Sequence, residues 1–197
     1  GDLIHPQHWP EDLDYADKKV VVIGSGATAI TLVPEMAKTA KHVTMLQRSP
    51  TYVVSRPGKD PFALRMNRWL PSNLAYLVTR WKNVTMQALI FQYSRRRPQK
   101  MKEFLLSLTR RELKGKVDVN KHFTPKYNPW DQRLCLVPDS DLFRSLRKGT
   151  SSVVTDQIKT FTKTGVKLES GELLKADIVI SATGLELLAM GGLEIAV

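Results

Sequence analysis

Apolar runs and a helical repeat alternate along the first fifty residues. Residues 20–23 form an apolar run that predicts a buried strand, residues 27–40 follow a helical repeat, and residues 42–46 form a second apolar run. Further along, residues 176–181 form another run of this kind. Apolar runs of strand length that alternate with a helix are typical of buried parallel strands, so the pattern predicts an α/β fold.

A short helix and three short strands are predicted after residue 140. Residues 142–148 favour a helix that ends at Gly149. Strands are favoured by the β-branched or alternating residues at 152–154, 157–162 and 166–168.

Residues 56–116 interrupt this pattern and differ in composition. Prolines divide the segment, and apolar side chains recur between them at helical spacing. Examples are Leu74, Leu77, Val78 and Trp81, followed by Met101, Phe104, Leu105 and Leu108. We therefore predict two or three amphipathic helices inserted after the second strand.

The net charge of +11 comes from this inserted segment, which contains fifteen Lys and Arg against three Asp and Glu. Four interpretations remain open for it. The first is a solvated basic face over an apolar face that packs on the rest of the protein. The second is a peripheral contact with an anionic membrane, with Arg95, Arg96 and Arg97 as the basic patch and Trp69 and Trp81 as interfacial anchors. The others are a lid that attracts a polyanionic cofactor and, more weakly because no RNA-binding signature is present, a nucleic-acid contact.

Other compositional features exclude several classes of protein. The 197 residues, 42% of them hydrophobic, are enough for one core. The single cysteine, Cys135, excludes an internal disulfide and a C-x-x-C redox centre, and we expect it to be a small buried apolar residue. No Cys/His cluster has zinc-site spacing, so we predict no metal site. We find no leader and no apolar run of roughly 20 residues, so we expect a soluble, cytoplasmic protein, with membrane association through residues 56–116 as the open alternative.

A glycine-rich turn follows the first predicted strand and leads directly into the helical repeat. Gly24 permits the tight turn, Gly26 lets a diphosphate approach the backbone, and the small Ala29 lets the helix lie close to the strand. Amides at the helix N-terminus would then hold the phosphates. The residues predicted to contact a dinucleotide here are Gly24, Ser25, Gly26, Ala27, Thr28 and Ala29.

The end of the second predicted strand indicates which dinucleotide binds. An acid at this position would accept hydrogen bonds from the ribose of NAD and would repel the additional 2′-phosphate of NADP. The sequence has Arg48 instead, whose guanidinium can bind that phosphate, so the site favours NADP. The contacts predicted at the strand ends are Gln47, Arg48 and Ser49, together with Ala182, Thr183 and Gly184 after the run at 176–181.

The opening residues carry a specific motif. Gly1, His5, Trp9 and Pro10 have the spacing G-x-x-x-H-x-x-x-W-P, which resembles the latter part of the fingerprint F-x-G-x-x-x-H-x-x-x-W-P of Baeyer–Villiger monooxygenases. With the glycine-rich turn, the Gln-Arg-Ser-Pro strand end and the Ala-Thr-Gly turn in the same order, the whole chain resembles the NADPH-binding part of a class B flavoprotein monooxygenase. The sequence segments 5–10 and 122–133 are most similar to the branch of the family that contains the ethionamide-activating monooxygenase.

This resemblance implies a Rossmann-like NADP-binding domain with a parallel sheet core and an inserted basic helical subdomain. Its expected parts are a linker with the fingerprint (1–18), the Rossmann-like domain (19–55 and 117–186), the helical insertion (56–116) and the start of a return to an FAD domain (187–197). Because the family binds FAD through segments on both sides of this part, we expect a piece of a longer protein. Alone, the chain would bind NADPH and oxygenate nothing.

The resemblance also implies the reaction. NADPH reduces FAD, the reduced flavin captures O₂ as a C4a-peroxide, and this oxidant inserts oxygen into a ketone or oxidises a sulfide or an amine. By motif position, Arg133 matches the catalytic arginine that keeps the peroxide anionic. Its neighbour Gln132 replaces a lysine that is frequent in the family, which leaves Arg48 with more of the 2′-phosphate contact. His5 matches the fingerprint histidine that couples the linker to catalysis, and a hydrogen-bonded linker histidine without a chemical role remains the alternative.

Two other functions remain open from the sequence alone. A free-standing NADP-dependent dehydrogenase would need an additional catalytic domain, which we do not find in the sequence. A basic membrane-binding or nucleic-acid-binding module would bind polyanions in a salt-dependent manner, without preference for a cofactor.

Overall fold

The structure is a computed structural model that describes residues 1–185. The predicted return segment, residues 187–197, lies outside the described residues. The strands are β1 (Asp2–Ile4), β2 (Lys19–Ile23), β3 (His42–Gln47), β4 (Tyr52–Arg56), β5 (Leu134–Pro138), β6 (Ser151–Thr155), β7 (Ile158–Thr162), β8 (Gly165–Leu168), β9 (Leu173–Lys175) and β10 (Ile178–Ser181). The helices are α1 (Ala27–Met36), α2 (Pro61–Trp69), α3 (Ser72–Arg96), α4 (Pro98–Leu113), α5 (Val119–His122) and α6 (Asp141–Lys148).

Five parallel strands form the central sheet in the order β1-β10-β2-β3-β6. Strand β2 lies in the middle, where Val21 is in register with Val179 of β10 and with Thr44 of β3. Residues 20–22 are at most 1% exposed. The α/β fold with a parallel sheet core, predicted from the apolar runs, is confirmed.

Different elements cover the two faces of this sheet. On one face, Val20 and Val22 belong to a core shared with α1, α4 and α6. On the other face, Val21 and Ile23 pack with Val166 of a three-stranded antiparallel sheet in the order β7-β8-β9. A strand that is covered on both faces needs apolar side chains at consecutive positions, which explains why the runs are uninterrupted.

Two predicted boundaries shift in the structure. Helix α1 ends at Met36 rather than at residue 40, because residues 37–40 form a turn closed by hydrogen bonds to the Met36 carbonyl. Strand β10 begins at Ile178 rather than at residue 176. The preceding Asp177 accepts the backbone N–H of Lys19 on its carboxylate at 2.8 Å and so joins the two strands just before their ladder begins.

Three helices occupy the predicted insertion, between β4 and β5, which pair with each other as a separate parallel ribbon. Helix α4 packs its apolar side on the core, where Met101 and Leu105 are buried, although Phe104 of the same predicted stripe is 55% exposed. The Thr109 hydroxyl of α4 also donates to the Val53 carbonyl of β4 at 3.0 Å. The interpretation of an apolar face packed on the rest of the protein therefore holds for α4.

That interpretation does not hold for α3 within the described residues. Of its 25 residues, Ala75 and Ser94 are buried. The reason is that α3 turns a polar side towards α2, where Lys82 forms an ion pair with Asp60 at 3.0 Å. The predicted apolar side is left between 43% and 64% exposed at Leu74, Leu77, Val78 and Trp81.

Candidate functional site

A cavity of about 660 Å³ opens where the carboxyl ends of β10, β2, β3 and β6 meet. This edge is where open parallel sheets bind their ligands. The cavity brings together most of the residues that the sequence nominated: Gly24, Ser25, Gly26, Ala27, Thr28, Arg48, Ser49, Arg133, Ala182, Thr183 and Gly184. His5, Ala29 and Gln47 lie outside its lining.

The turn after β2 has room for glycine alone at position 24. Gly24 has φ +132°, a conformation that residues with side chains rarely adopt, and a Cβ there would lie 2.5 Å from the Ala182 carbonyl oxygen. Its N–H donates to the Leu46 carbonyl at 2.8 Å. The turn is therefore clamped between the ends of β10 and β3.

The N-terminus of α1 faces the cavity directly after this turn. Gly26 is the N-cap and no side chain caps the helix, so its first backbone N–H groups are available to an anion. A Cβ at Gly26 would lie 3.5 Å from Nη1 of Arg133, which is ordinary contact, so the protein itself leaves room for a side chain. Glycine would be required at position 26 if a ligand lies close to the backbone there. Ala29 is fully buried and lets α1 lie against β2.

The three residues at the end of β3, 47–49, have two different roles. Arg48 and Ser49 are exposed and line the cavity. Gln47 is 2% exposed, and its amide donates to the His122 carbonyl at 2.7 Å and to the Thr155 hydroxyl at 2.8 Å. The structure therefore places Gln47 as a brace between β3, β6 and α5, away from the position expected for a cofactor contact.

His122 completes this brace as a neutral imidazole. Its Nδ1 lies 2.7 Å from the Thr155 hydroxyl, which also accepts from the Gln47 amide. Burial lowers the pKa of His122, and the nearby charge of Lys121 lowers it further. The folded protein thus favours the uncharged form at neutral pH.

Arg133 reaches the cavity from the loop before β5. Its Nη2 donates to the Ser25 hydroxyl at 3.1 Å, which places the guanidinium beside the glycine-rich turn. Two hydroxyls hold its backbone: the Arg133 carbonyl accepts from Tyr127 at 2.9 Å and from Thr51 at 3.4 Å. Tyr52 supports Tyr127 in turn by donating to its carbonyl at 2.7 Å.

These supporting residues were not found from the sequence, because nothing in a local pattern links positions 51 and 52 to position 127. Burial changes the acidity of one of these residues, Tyr52, which is 1% exposed. Burial, with smaller contributions from Tyr127 and Asp131, raises the pKa of Tyr52 to about 12. The hydroxyl that supports Tyr127 therefore stays protonated at physiological pH.

His5 connects the opening segment to the last strand end. Its Nδ1 accepts the backbone N–H of Gln7, so Nε2 carries the proton and donates to the Gly184 carbonyl at 3.2 Å. The start of the predicted linker also forms β1, which pairs with β10 at the sheet edge. His5 therefore stabilises the Ala-Thr-Gly turn through this hydrogen bond and does not line the cavity.

Asp156, Gln157 and Ile158 also line the cavity, and the sequence analysis missed them. The Asp156 carboxylate accepts the N–H of Gln157 at 2.7 Å, and hydrogen bonds from Ser170 and Gln157 lower its pKa. It is ionised at neutral pH. An acid directly after β6 was a usable signal, but the predicted contacts came from the ends of the strands at 42–46 and 176–181.

The site therefore combines two cations, Arg48 and Arg133, with free helix amides and a carboxylate acceptor.

Cys135 is buried behind this site, 3.8 Å from the Ser25 carbonyl. Burial raises the pKa of its thiol, so Cys135 is not poised as a nucleophile. Among residues 1–185, no His, Cys, Asp and Glu cluster could hold a metal ion. In the same part of the chain, no helix has the length and apolar character to cross a membrane.

A glycine-rich turn at the carboxyl edge of a parallel sheet is the arrangement typical of dinucleotide-binding α/β folds. The sequence matches the FMO-like family, described as flavin-binding monooxygenase-like, over residues 1–189, and the chain belongs to that family. It is 60% identical over 193 residues to the FAD-containing monooxygenase EthA of Mycobacterium tuberculosis, covering 98% of this chain and 40% of that protein. It is also 60% identical over 195 residues to the probable FAD-binding monooxygenase AlmA of Acinetobacter baylyi, covering 98% of this chain and 39% of that protein.

Solved structures show the same fold at low sequence identity. OTEMO in complex with FAD and NADP matches with a TM-score of 0.68 and 19% identity, over 94% of this chain and 42% of that one. An open structure of cyclohexanone monooxygenase matches with a TM-score of 0.61 and 21% identity, over 93% and 43%. The resemblance inferred from the sequence is confirmed, and the chain spans about two fifths of the length of these relatives.

The neutral state of His122 predicts a pH dependence of stability. Because its folded pKa lies below the unfolded value of 6.5, the unfolded chain takes up a proton first as the pH falls. The stabilisation from neutral His122 is thus present above pH 6.5 and is lost as the pH falls through the folded pKa. We expect His122→Gln to flatten the loss of unfolding free energy between pH 7.5 and 5, measured by urea denaturation. His8→Gln, at an exposed histidine, is the matched control, and equal pH dependence in all three proteins would contradict the assignment.

Proposed function

We propose that this chain is the NADPH-binding part of an FAD-dependent monooxygenase. The observation that carries the proposal is that Arg48 and the uncapped N-terminus of α1 line one cavity. The amides at the helix start suit a diphosphate, and the guanidinium suits the 2′-phosphate that distinguishes NADP from NAD and FAD. Family membership favours this function over a free-standing dehydrogenase or a basic binding module.

Different lining residues bind different parts of the dinucleotide. Gly24 and Gly26 let the diphosphate approach the backbone, Arg48 and Ser49 bind the phosphorylated ribose, and Asp156 accepts hydrogen bonds from hydroxyl or amino groups of the adenosine. The Ala-Thr-Gly turn at 182–184 closes the opposite side of the crevice. The described residues provide one such glycine-rich turn, so we assign it to NADPH and assign no FAD contact to residues 1–185.

Arg133 is the candidate catalytic residue. Hydrogen bonds from Tyr127 and Thr51 hold its backbone, and its guanidinium donates to the Ser25 hydroxyl, which directs the charge towards the glycine-rich turn. A fixed guanidinium stabilises negative charge that develops on a reacting oxygen without reorganisation. FAD, when bound, would supply the activation of O₂, which amino-acid side chains cannot perform. His5 acts as a positioning residue, through its hydrogen bond to Gly184.

The proposed substrates are O₂ and a small molecule that carries a ketone, a sulfide or an amine. The name of one structural neighbour, cyclohexanone monooxygenase, contains a ketone, which supports this class of substrate. We propose a cytoplasmic location for the enzyme.

Replacing Arg48 tests the cofactor assignment. A hydrogen bond to a charged group contributes about 1.5–3 kcal/mol, so Arg48→Ala should weaken NADPH binding roughly 10-fold to 100-fold and leave NADH binding nearly unchanged. The measurement is isothermal titration of the protein, expressed over its full reading frame, with each nucleotide. Arg111→Ala, at an exposed arginine of α4, is the matched control. Equal affinity of the unaltered protein for both nucleotides would refute the assignment.

Replacing Arg133 tests the catalytic assignment. We expect Arg133→Gln to lower oxygenated product at least about 100-fold while NADPH is still oxidised, because one preorganised donor to a developing anion is worth that much. Product from a methyl ketone and from an aryl methyl sulfide is compared with NADPH consumed. Arg144→Gln, on exposed α6 surface, is the control. Product and NADPH oxidation that fall in the same proportion would instead place Arg133 in cofactor binding.

A further inference from the structure

The first half of helix α3 places polar side chains against α2 and leaves apolar side chains exposed. The side that faces α2 is polar: the Asp60 carboxylate, which caps α2, accepts from Lys82 at 3.0 Å and from Asn83 at 3.4 Å. The Lys82 ammonium also lies 4.7 Å from the centre of the Phe62 ring. The contacts that Lys82 and Asn83 of α3 make with α2 are therefore ionic, hydrogen-bonded and cation–π.

The outward side of α3 is a continuous apolar stripe. Its members recur three or four residues apart, which places them on one face over about three turns. Each is between 43% and 64% exposed: Leu74, Leu77, Val78, Trp81 and Val84. Trp69, at the end of α2, is 78% exposed beside the start of this helix. An uncovered stripe of this size indicates an interaction surface.

The charge around the stripe is of one sign. Residues 61–102 contain nine Lys and Arg and no Asp or Glu. Arg65 and Arg68 on α2, and Arg96 and Arg97 at the end of α3, are exposed. The surface therefore offers apolar side chains for burial and cations around them, with no carboxylate in these helices to oppose an anionic partner.

This combination selects among possible partners. Within residues 61–102, Lys82 is paired with Asp60 and Arg95 with Asp131. Two copies of the chain would still bring the other cations of each copy together, which electrostatic repulsion disfavours. Nucleic acid would neutralise the cations but would leave the leucine and valine side chains in water. An anionic bilayer satisfies both requirements, since its interface takes up apolar side chains and Trp while its headgroups attract Lys and Arg.

We propose that the outer face of α3, with the adjoining end of α2, docks on an anionic lipid surface, with the helix lying in the plane of the interface. Leu77 and Trp81 enter the acyl boundary and the arginines at the helix ends contact headgroup phosphates. No helix among the described residues can cross the bilayer, so the contact is peripheral. This surface is separate from the dinucleotide cavity, and the proposal does not depend on the function of that cavity.

Vesicle sedimentation tests the proposal on the protein expressed over its full reading frame. We expect binding to vesicles of phosphatidylcholine with 30% phosphatidylglycerol, about tenfold weaker binding to phosphatidylcholine alone, and weaker binding at high salt. Leu77→Glu should reduce binding to the anionic vesicles at least about tenfold. Phe104→Glu, at an exposed aromatic residue of α4, is the matched control and should bind as the unaltered protein does.

Two further readouts keep the result decisive. Brominated acyl chains should quench tryptophan fluorescence in the unaltered protein, and less so in Trp81→Phe. NADPH titration of each variant checks that the fold is intact. The proposal is overturned if the full-length protein does not bind vesicles, which would mean that another segment or a second copy covers α3. It is equally overturned if Leu77→Glu binds as well as the unaltered protein, or if RNA is bound and vesicles are not.

Discussion

The close approach of three strand ends is the constraint on which the site depends. The turn after β2 is held on one side by the hydrogen bond from Gly24 to Leu46, and on the other by the hydrogen bond from Ala182 to Ile23, each 2.8 Å long. The Ala182 carbonyl occupies the space that a side chain at position 24 would need. Because the turn is pinned in this way, α1 starts at a fixed point and presents its uncapped N-terminus to the cavity.

The rest of the site is built on this fixed point. Arg48 follows from β3, whose end is braced by the buried Gln47, and Arg133 is held over the turn by Tyr127 and Thr51. Positive charge thus comes from two arginines on separately braced segments and from the helix itself. A flavin-binding monooxygenase needs such a site for its reductant, and membership of that family gives the geometry its proposed use.

Sequence reasoning found the elements whose signal is local. The strands at 20–23 and 42–46 are uninterrupted apolar runs because both faces of the sheet are covered, and the glycine-rich turn is a contiguous motif. It did not find the support of Arg133 or the place of Asp156, because these contacts join distant segments. It assigned Gln47 to the cofactor from its place at the strand end, where the structure instead shows its amide bonded to His122 and Thr155. It left the surroundings of α3 open, since periodicity identifies an apolar stripe and not what covers it.

The central claim is that helix amides hold the diphosphate of NADP while Arg48 holds its 2′-phosphate. Phosphorus-31 magnetic resonance of bound NADP⁺ tests it most directly, because the two groups give separate signals. The account predicts that both signals shift on binding and that the 2′-phosphate stays dianionic below about pH 6, where a free phosphate monoester takes up a proton. A 2′-phosphate that titrates on the protein as it does in free solution would contradict the account.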